Sequence, residues 1–300
     1  MWTQPVKSTK DSKPLVVEKS VYHMPSSQKD SRFAVLSFRA KGVESQERLV
    51  FIHGAVSHGS RHADMFEWLI EKTKGRIEIF ALDMVGHGLA SGPRGHVDKF
   101  THFVDDTLSF LHEMNSAEKP TYLMGHSMGG LIILQALLMF QHKVPAHVKA
   151  IILSNPCIRP HQIVDVPKLE DLMNGLADYL PTFRLPRIHK GVDLAYSSLA
   201  ANSFETDPLI PRFITAQLAR EIWIASQEIR SLSYFLNHSV LFLLSDSDQV
   251  VDREASMLFA RGIDKQKVKL IEYNHTKHEL LHETPKYTVW QNVLTWLEQL

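Results

Sequence analysis

One serine in this sequence has the neighbours that a nucleophile needs. It is the centre of Gly125-His126-Ser127-Met128-Gly129, which lies between an apolar run typical of a strand and a longer run typical of a helix. A Gly-x-Ser-x-Gly turn is so sharp that side chains two residues to either side of the serine would collide with the neighbouring strand and helix. The turn also ends at a helix N-terminus, whose dipole favours developing negative charge. We therefore predict that Ser127 is a nucleophile; the alternative is a glycine-rich turn whose serine has no role.

The acid of such a site is predicted in the loop that follows residues 240–244. A serine hydroxyl needs a base and the base needs an orienting acid, and with this kind of turn the chain order is serine, acid, histidine. The loop contains Asp246 and Asp248. We choose Asp248, because the acid typically lies a few residues into its loop and just before an apolar residue. Asp246 stays an alternative acid, and its other interpretation is a carboxylate that caps the turn.

Three histidines follow the apolar run at 268–273. They are His275, His278 and His282. A structural role is favoured for His275, which is close to the strand end, while His282 is expected on a short helix as a solvated or hydrogen-bonded side chain. We therefore predict His278 as the general base. Both loops leave the same edge of a parallel sheet as the serine turn, so the three side chains can converge.

Two backbone N–H groups are predicted to bind the oxyanion that acyl transfer creates. One of them follows the nucleophile and is therefore that of Met128. The other is expected in the loop after the apolar run 49–52, which ends at His53-Gly54, and we assign it to Ala55. Backbone donors have no signature of their own, so this assignment rests on the His-Gly pair, for which a simple strand-end turn is the alternative.

The predicted base also belongs to a second pattern. Residues 278–282 are His-Glu-Leu-Leu-His, which matches the His-Glu-x-x-His pattern of zinc proteases. That chemistry needs both histidines on one face of a long helix and a third ligand from further along the chain. Pro285 limits the helix soon after His282, and the segment begins just beyond a strand. The sequence therefore favours a serine site without a metal ion over a zinc peptidase.

Short strands and helices alternate around these loops. This alternation predicts an α/β fold with a mostly parallel central sheet and helices on both of its faces. Residues 33–39 alternate in hydrophobicity like an edge strand. The alternation stops at 156–236, which is helical, rich in loops and punctuated by prolines. We therefore predict a core of residues 21–155 and 237–300, an inserted helical cap at 156–236, and a loosely held polar arm at 1–20.

Composition limits the class of protein. The 300 residues include 33 basic and 33 acidic side chains, and this balance argues against a dedicated nucleic-acid-binding protein. The single cysteine, Cys157, cannot form a disulfide within the chain, which fits a reducing compartment. The most apolar stretch, residues 131–140, is too short to span a membrane, and the first residues lack the apolar segment of a secretory signal. We expect a cytoplasmic protein.

Six segments of the chain carry a resemblance to a known family. They are residues 53–61, 83–94, 125–130, 207–209, 245–248 and 273–282. In them, and over nearly the whole chain from about residue 30, the sequence resembles the monoacylglycerol lipase and lysophospholipase group of α/β-hydrolases. The resemblance implies Ser127 as nucleophile, Asp248 as acid and His278 as base. It also implies an oxyanion hole formed by the Ala55 and Met128 amides, a cap that shapes a tunnel for an acyl chain, and a reaction without a cofactor.

Two segments depart from the pattern of that group. Val56-Ser57 replaces a usual Gly-Glu pair, and Phe204-Glu205-Thr206 replaces Tyr-Asn-Ser. Both changes remove polar groups near the head-group end of the family's pocket, so a lysophospholipid or another acyl ester stays open beside a monoacylglycerol. The resemblance implies hydrolysis of carboxylic esters of medium or long acyl chains. The alternatives are an esterase, acyltransferase or aminopeptidase with the same three side chains, and a binding protein without catalysis.

The predicted cap contains one amphipathic helix. Its apolar residues recur at helical spacing, at Leu169, Leu172, Met173, Leu176 and Leu180. One interpretation is that this face packs inside the cap. The other is that it lines or gates a lipid entrance and touches a membrane surface transiently. The predicted partners are therefore an acyl-ester lipid as substrate and, in the second interpretation, a membrane surface; no nucleic acid is predicted.

Overall fold

A central sheet organises the molecule. The structure, a computed structural model, describes residues 15–114, 119–161, 167–186 and 189–300. The described strands are β1 (Val17–Pro25), β2 (Arg32–Ala40), β3 (Glu47–Ile52), β4 (Ile77–Asp83), β5 (Thr121–His126), β6 (Val148–Ser154), β7 (Arg184–Pro186), β8 (Phe213–Thr215), β9 (Ser239–Ser245) and β10 (Val268–Tyr273). Eight of them form one sheet in the order β1-β2-β4-β3-β5-β6-β9-β10, and β7 pairs with β8.

Most of this sheet is parallel. From β4 to β10 every neighbouring pair is parallel, whereas β2 is antiparallel to both β1 and β4. Parallel neighbours need long crossovers, which helices provide. The described helices are α1 (Ala63–Lys72), α2 (Phe100–Glu113), α3 (Met128–Met139), α4 (Pro167–Tyr179), α5 (Gly191–Leu194), α6 (Ser198–Thr206), α7 (Ala216–Ile229), α8 (Arg253–Arg261) and α9 (Lys286–Leu297). The predicted α/β fold is confirmed.

Helices cover both faces of the sheet. In β3, Leu49 and Phe51 belong to the core under α1 and α9, while Val50 and Ile52 belong to the core under α2, α3 and α8. All four side chains are fully buried, which explains why β3 is a continuous apolar run instead of an alternating one. With both faces covered, the loops at the carboxyl ends of the strands are left to carry a site.

The first strand begins inside the segment that was expected to be loose. β1 starts at Val17 and pairs along its whole length with β2, from Val17 opposite Ala40 to Pro25 opposite Arg32. The predicted arm is therefore wrong at residues 17–20, and residues 1–14 lie outside the described residues. The prediction of β2 as an edge strand is wrong for the same reason. Most side chains of β1 are exposed, so its sequence has no apolar alternation to announce it.

Between β6 and β9 the chain leaves the sheet and forms α4 to α7 with the short β7-β8 pair. α7 packs against both α3 and α4. These elements lie within the predicted insert at 156–236, whose status as a separate cap domain stays a prediction. The predicted amphipathic helix exists as α4, but the side chains of its first three apolar positions lie outside the described ones. Among the described ranges, no helix combines the length and apolar character needed to cross a membrane.

Candidate active site

The predicted nucleophile joins β5 directly to α3. Ser127 has a φ of 54°, a conformation that residues with a side chain rarely adopt. Its N–H donates to the Ser154 carbonyl at 3.0 Å, and its own carbonyl accepts from the N–H groups of Gly130 and Cys157, both at 3.0 Å. These bonds hold the strained residue between the ends of β5 and β6. Its side chain is thereby fixed at the N-terminus of a twelve-residue helix.

Glycine is required on both sides of this turn for steric reasons. A Cβ on Gly125 would lie 2.5 Å from the backbone of Gly129, where α3 begins. A Cβ on Gly129 would lie 2.0 Å from the carbonyl oxygen of Ile52, at the end of β3. Both distances are far below van der Waals contact, so any side chain would displace the helix from the sheet. The predicted reason for the Gly-x-Ser-x-Gly spacing agrees with these contacts.

The predicted acid and base are in direct contact. His278 Nδ1 donates to Asp248 Oδ2 at 2.7 Å, and both side chains are buried. Asp248 Oδ1 accepts from the N–H groups of Val250 and Val251, at 2.8 and 3.1 Å. Burial opposes the charged form of each group, but their attraction outweighs it, so the pKa of Asp248 lies below its usual value and the pKa of His278 above. His278 Nε2 is then the ring nitrogen that remains to accept a proton.

The other aspartate of the loop has a structural position. Asp246 accepts from the backbone N–H groups of His275 and Thr276, at 3.0 and 3.2 Å, and so ties the loop after β9 to the loop after β10. His275 is exposed and has a φ of 55°. His282 faces the His62 ring, with 4.6 Å between the ring centroids. Of these candidates, only Asp248 and His278 contact each other in the way that an acid–base pair requires.

The histidine loop contacts both the serine turn and the segment that follows β6. The ring of His126, the residue before Ser127, lies 4.8 Å from the ring of His278 between centroids. Asn155, just after β6, donates from Nδ2 to the His278 carbonyl at 2.9 Å and to Ser245 Oγ at 3.0 Å. Sequence reasoning missed Asn155, because a lone asparagine after a strand carries no signal of its own. The three strand-end loops nevertheless meet, as predicted.

The loop after β3 passes beside the serine. A Cβ on Gly54 would lie only 3.1 Å from Ser127 Cβ. His53 fixes this loop, since its Nδ1 donates to the Gly54 carbonyl at 2.7 Å and its Nε2 accepts from the Met84 N–H at 3.0 Å. Complete burial lowers the pKa of His53 to about 3, so the ring is neutral and uses one nitrogen as donor and the other as acceptor.

A second buried histidine supports the next peptide. His87 Nε2 contacts the carbonyl oxygen of Ala55, and its Nδ1 lies 2.9 Å from the Val85 carbonyl. Burial lowers the pKa of His87 to about 3, and the neutral ring has a single N–H, which donates to one of these two carbonyl oxygens at a time. Met128 follows Ser127 and begins α3, and Ala55 follows Gly54, which lies beside Ser127. Their oxyanion roles stay predictions. Sequence reasoning missed the part played by His87.

A buried ionic cluster lies next to the acid–base pair. Arg61 Nη2 donates to Glu279 Oε2 at 3.2 Å, and Arg61 Nη1 lies 3.9 Å from Asp207 Oδ2 in the segment between α6 and β8. Asp207 is also 2.9 Å from His58 Nε2. Glu279 Oε1 lies 3.7 Å from His126 Nε2. Sequence reasoning missed this cluster, because its members are far apart in the chain and have no regular spacing.

The two departures from the family pattern meet in one place. Val56 packs against an apolar cluster that contains Phe204 together with Leu194 and Ile210. The Arg61 guanidinium lies 5.4 Å from the centre of the Phe204 ring. An apolar contact between the loop after β3 and α6 therefore occupies the position of the polar groups that the resemblance implied.

The zinc-protease pattern lacks the helix that its chemistry needs. His278 lies in a loop, and residues Leu280–His282 form a single 3-10 turn. His278 Nδ1 is engaged by Asp248. Among the residues that the structure describes, no group of three or more His, Cys, Asp and Glu side chains is arranged to hold a metal ion. The donor set does not fit a catalytic zinc site.

Comparisons with known proteins agree with this architecture. The family model Hydrolase_4, described as "Serine aminopeptidase, S33", matches residues 43–285. Monoglyceride lipase of Rattus norvegicus is 28% identical over 259 residues, which cover 83% of this chain and 82% of that protein. Phospholipase YtpA of Bacillus subtilis is 25% identical over 258 residues, which cover 84% of this chain and 95% of that protein.

A solved structure supports the fold independently. The soluble variant of monoglyceride lipase from Saccharomyces cerevisiae, in complex with a substrate analog, has a TM-score of 0.81 to this chain. The match covers 97% of this chain and 99% of that one, at 20% sequence identity. At this identity the likeness concerns the fold, and the fold is that of the α/β-hydrolases.

Proposed function

This chain belongs to the α/β-hydrolase family described as serine aminopeptidase, S33, and from that premise we propose that it is a serine hydrolase of fatty-acid esters. The substrate is a carboxylic ester with a medium or long acyl chain, and the reaction passes through an acyl-enzyme. Relatives named monoglyceride lipase and phospholipase, each aligned over more than four fifths of this chain, support a lipid ester as the substrate class.

The contact between Asp248 and His278 carries the proposal. A carboxylate that binds Nδ1 fixes the tautomer in which Nε2 accepts a proton, and it stabilises the imidazolium that forms when the nucleophile loses that proton. Within the same set of loops, Ser127 is held in a strained turn at a helix N-terminus. Other roles known for buried His–Asp pairs would not need a strained serine beside them.

In the proposed reaction, Ser127 Oγ attacks the ester carbonyl while His278 Nε2 takes its proton. The N–H groups of Ala55 and Met128 stabilise the resulting oxyanion. The bond to the alcohol then breaks, and His278 returns the proton to the leaving oxygen. Water attacks the remaining serine ester with His278 again as base, which releases the fatty acid and restores the free hydroxyl.

The charges around Arg61 favour an uncharged alcohol as leaving group. The resemblance puts the segments at Val56 and Phe204 near the head-group end of the pocket, and Val56 packs against the apolar cluster that contains Phe204. The cation beside the Phe204 ring, Arg61, already faces the carboxylates of Asp207 and Glu279. A phosphate would be repelled by both, whereas glycerol would not. We therefore favour a monoacylglycerol over a lysophospholipid.

The test is a substrate panel run on the purified protein and on Ser127→Ala. We expect hydrolysis of a long-chain monoacylglycerol to exceed that of lysophosphatidylcholine and of short p-nitrophenyl esters. We also expect Ser127→Ala to fold normally and lose at least about 10³-fold in kcat. Retained esterase activity in that variant would overturn the serine assignment. A preference for lysophosphatidylcholine would overturn only the choice of head group.

Inhibitors separate the remaining reaction classes. We expect a fluorophosphonate to label Ser127 and abolish activity, and phenanthroline to have no effect. The opposite result would support a zinc peptidase. Amino-acid p-nitroanilides should be poor substrates, since aminopeptidase activity is what the family description alone would suggest. Lipid binding without any turnover would indicate a binding protein.

A further inference from the structure

One buried carboxylate near the proposed base has no part in the proposed ester hydrolysis. Glu279 directly follows His278, and its side chain is only 6% exposed. Burial alone would raise its pKa, but the Arg61 guanidinium and the His126 ring hold that pKa well below the usual range. The carboxylate is therefore charged, and an isolated charge at this depth would be costly.

Glu279 connects the two loops on which the proposed reaction depends. Its backbone continues that of His278, and its Oε1 atom lies 3.7 Å from Nε2 of His126. The His126 ring lies between the serine turn and the base, 4.8 Å from the His278 ring. The other ring nitrogen of His126 is 3.3 Å from Ser154 Oγ at the end of β6. Loss of the carboxylate would leave this ring without its charged contact.

The partner of Glu279 links it to the segment between α6 and β8. Arg61 is 3% exposed, binds Glu279 at 3.2 Å and lies 3.9 Å from Asp207. The ring of His62, the next residue, lies 6.4 Å from that of His126, and burial lowers the pKa of His62 well below its usual value. His282 Nε2 lies 3.7 Å from Glu279 Oε2, and burial lowers the pKa of His282 to about 4. Neutral rings add no charge, so the charges on this side of His278 are those of Glu279, Arg61 and Asp207.

Charged and titratable groups reach His278 from several elements. They are Asp248 from the loop after β9, His126 from the serine turn, Glu279 from its own loop and His189 from the insert. Burial lowers the pKa of His189, which is therefore neutral near pH 7. Asp248 and Glu279 both favour the charged form of His278, and burial opposes it. Glu279 is thus a second carboxylate that supports the imidazolium.

We propose that Glu279 is a positioning residue of the hydrolysis, which holds the His126 ring against His278 and adds a second negative charge that Arg61 balances. The inference rests on the proposed function, because it assigns His278 the role of base. Removal of Glu279 leaves the positive charge of Arg61 behind, which disfavours the imidazolium. Removal of Arg61 leaves the negative charge behind, which favours it. The two changes therefore act on His278 in opposite directions.

The experiment compares Glu279→Gln with Arg61→Gln. The readouts are kcat/KM for p-nitrophenyl octanoate and the rate of fluorophosphonate labelling of Ser127, each between pH 5 and 9. Both rise with pH as His278 becomes neutral. We expect the midpoint of this rise to move to lower pH by about 0.5 unit in Glu279→Gln, and to higher pH by a similar amount in Arg61→Gln. We also expect Glu279→Gln to lower kcat more than it raises KM.

Glu283→Gln is the matched control on the same loop. Glu283 is equally buried, but its carboxylate accepts from the backbone N–H groups of Tyr196, Ser197 and Lys277 and does not take part in the cluster around His126. This variant shows what loosening the loop alone does to the kinetics. The midpoint of its rise in rate with pH should stay within about 0.2 pH unit of that of the wild type. Thermal melting of every variant shows whether it is folded before kinetics are measured.

The outcomes are distinguishable. Midpoints that do not move, or that move in the same direction in both variants, would overturn the role of Glu279 while leaving the proposed function intact. An active Ser127→Ala variant would overturn the proposed function itself. If Glu279→Gln does not fold, Arg61→Gln is the deciding variant. A midpoint in Arg61→Gln that does not move to higher pH would then refute the inference.

Discussion

The two sides of the candidate site are stabilised in different ways. On the side of the predicted oxyanion hole, the supporting side chains are His53 and His87, which are neutral and fully buried. They bind only backbone groups. On the side of proton transfer, the supporting side chains are charged, as in the pair of Asp248 and His278.

The difference follows from the charge that each side has to handle. An oxyanion is stabilised by peptide dipoles that are already aimed at it, and a neutral ring positions a peptide without adding a charge of its own. In the proposed reaction the proton-transfer side must hold an imidazolium, and a carboxylate beside the ring stabilises that cation. The comparison therefore predicts large effects of charge removal on one side and smaller, geometric effects on the other.

The sharpest test of the charged side is Asp248→Asn. The amide keeps the size of the side chain but no longer stabilises the imidazolium and favours the wrong tautomer of His278. We expect kcat to fall on the order of 10³- to 10⁴-fold with little change in KM. The measurement is steady-state kinetics with a monoacylglycerol and with p-nitrophenyl octanoate. As control, Asp246→Asn should lose far less, because Asp246 accepts from the backbone N–H groups of His275 and Thr276 and from the Ser247 hydroxyl, and not from His278; equal losses would contradict the choice of acid.

The neutral histidines of the oxyanion side should instead lower the stability of the fold in acid. A histidine whose pKa is lowered by folding binds protons more readily in the unfolded chain, so its contribution is complete above its unfolded pKa and is lost as pH falls towards its folded one. With folded pKa values of about 3, His53 and His87 should each lower the free energy of unfolding by about 2 kcal/mol at pH 5. Urea unfolding at pH 7 and pH 5 measures this loss.

The matched variant for that measurement is His87→Gln, which has no titratable ring. Its stability should fall by about 2 kcal/mol less between pH 7 and pH 5 than that of the wild type. An unchanged loss would mean that His87 is not the source of the acid sensitivity. His278 acts in the opposite direction, because its raised pKa contributes stability below its unfolded pKa that disappears as pH rises through the folded one.

The sequence predicted the charged pair better than the residues around it. Ser127, Asp248 and His278 each follow an apolar strand, and the carboxyl ends of parallel strands meet at one edge of a sheet whatever the details of packing. Arg61 and Glu279 are 218 residues apart. Their pairing depends on how the loop after β3 and the loop after β10 fold, and neither spacing nor periodicity carries that information.

The misplaced N-terminal boundary has a related cause. β1 is held by backbone hydrogen bonds to β2, while most of its side chains face solvent. Hydrophobic periodicity detects strands that bury a face, so a strand that buries little beyond Met24 escapes it. His87 and Asn155 were missed in a comparable way, because each acts on backbone groups that only the folded chain brings near.

A smaller effect is expected from His87→Leu, which removes the contact with the Ala55 carbonyl and keeps an apolar side chain of similar size. The Ala55 peptide would be less firmly oriented, so kcat should fall roughly tenfold with KM nearly unchanged. His87→Gln retains a donor and should recover part of the loss. Steady-state kinetics of both variants with a short ester measure these changes in kcat and KM. A loss as large as that of Asp248→Asn would erase the distinction between the two sides.

The smallest effect is expected at Cys157, which lies at the boundary between the two sides. Its N–H binds the Ser127 carbonyl, but its thiol is buried, and burial together with the charge of Asp248 raises the pKa of that thiol to about 12. A neutral thiol neither adds a charge to the site nor reacts as a nucleophile. Iodoacetamide at pH 8 should therefore leave the activity of the folded enzyme unchanged, and Cys157→Ala should behave identically. Inactivation of the wild type but not of Cys157→Ala would show that the thiol is ionised. A thiolate would then add a negative charge between the oxyanion side and the proton-transfer side, which contradicts the comparison.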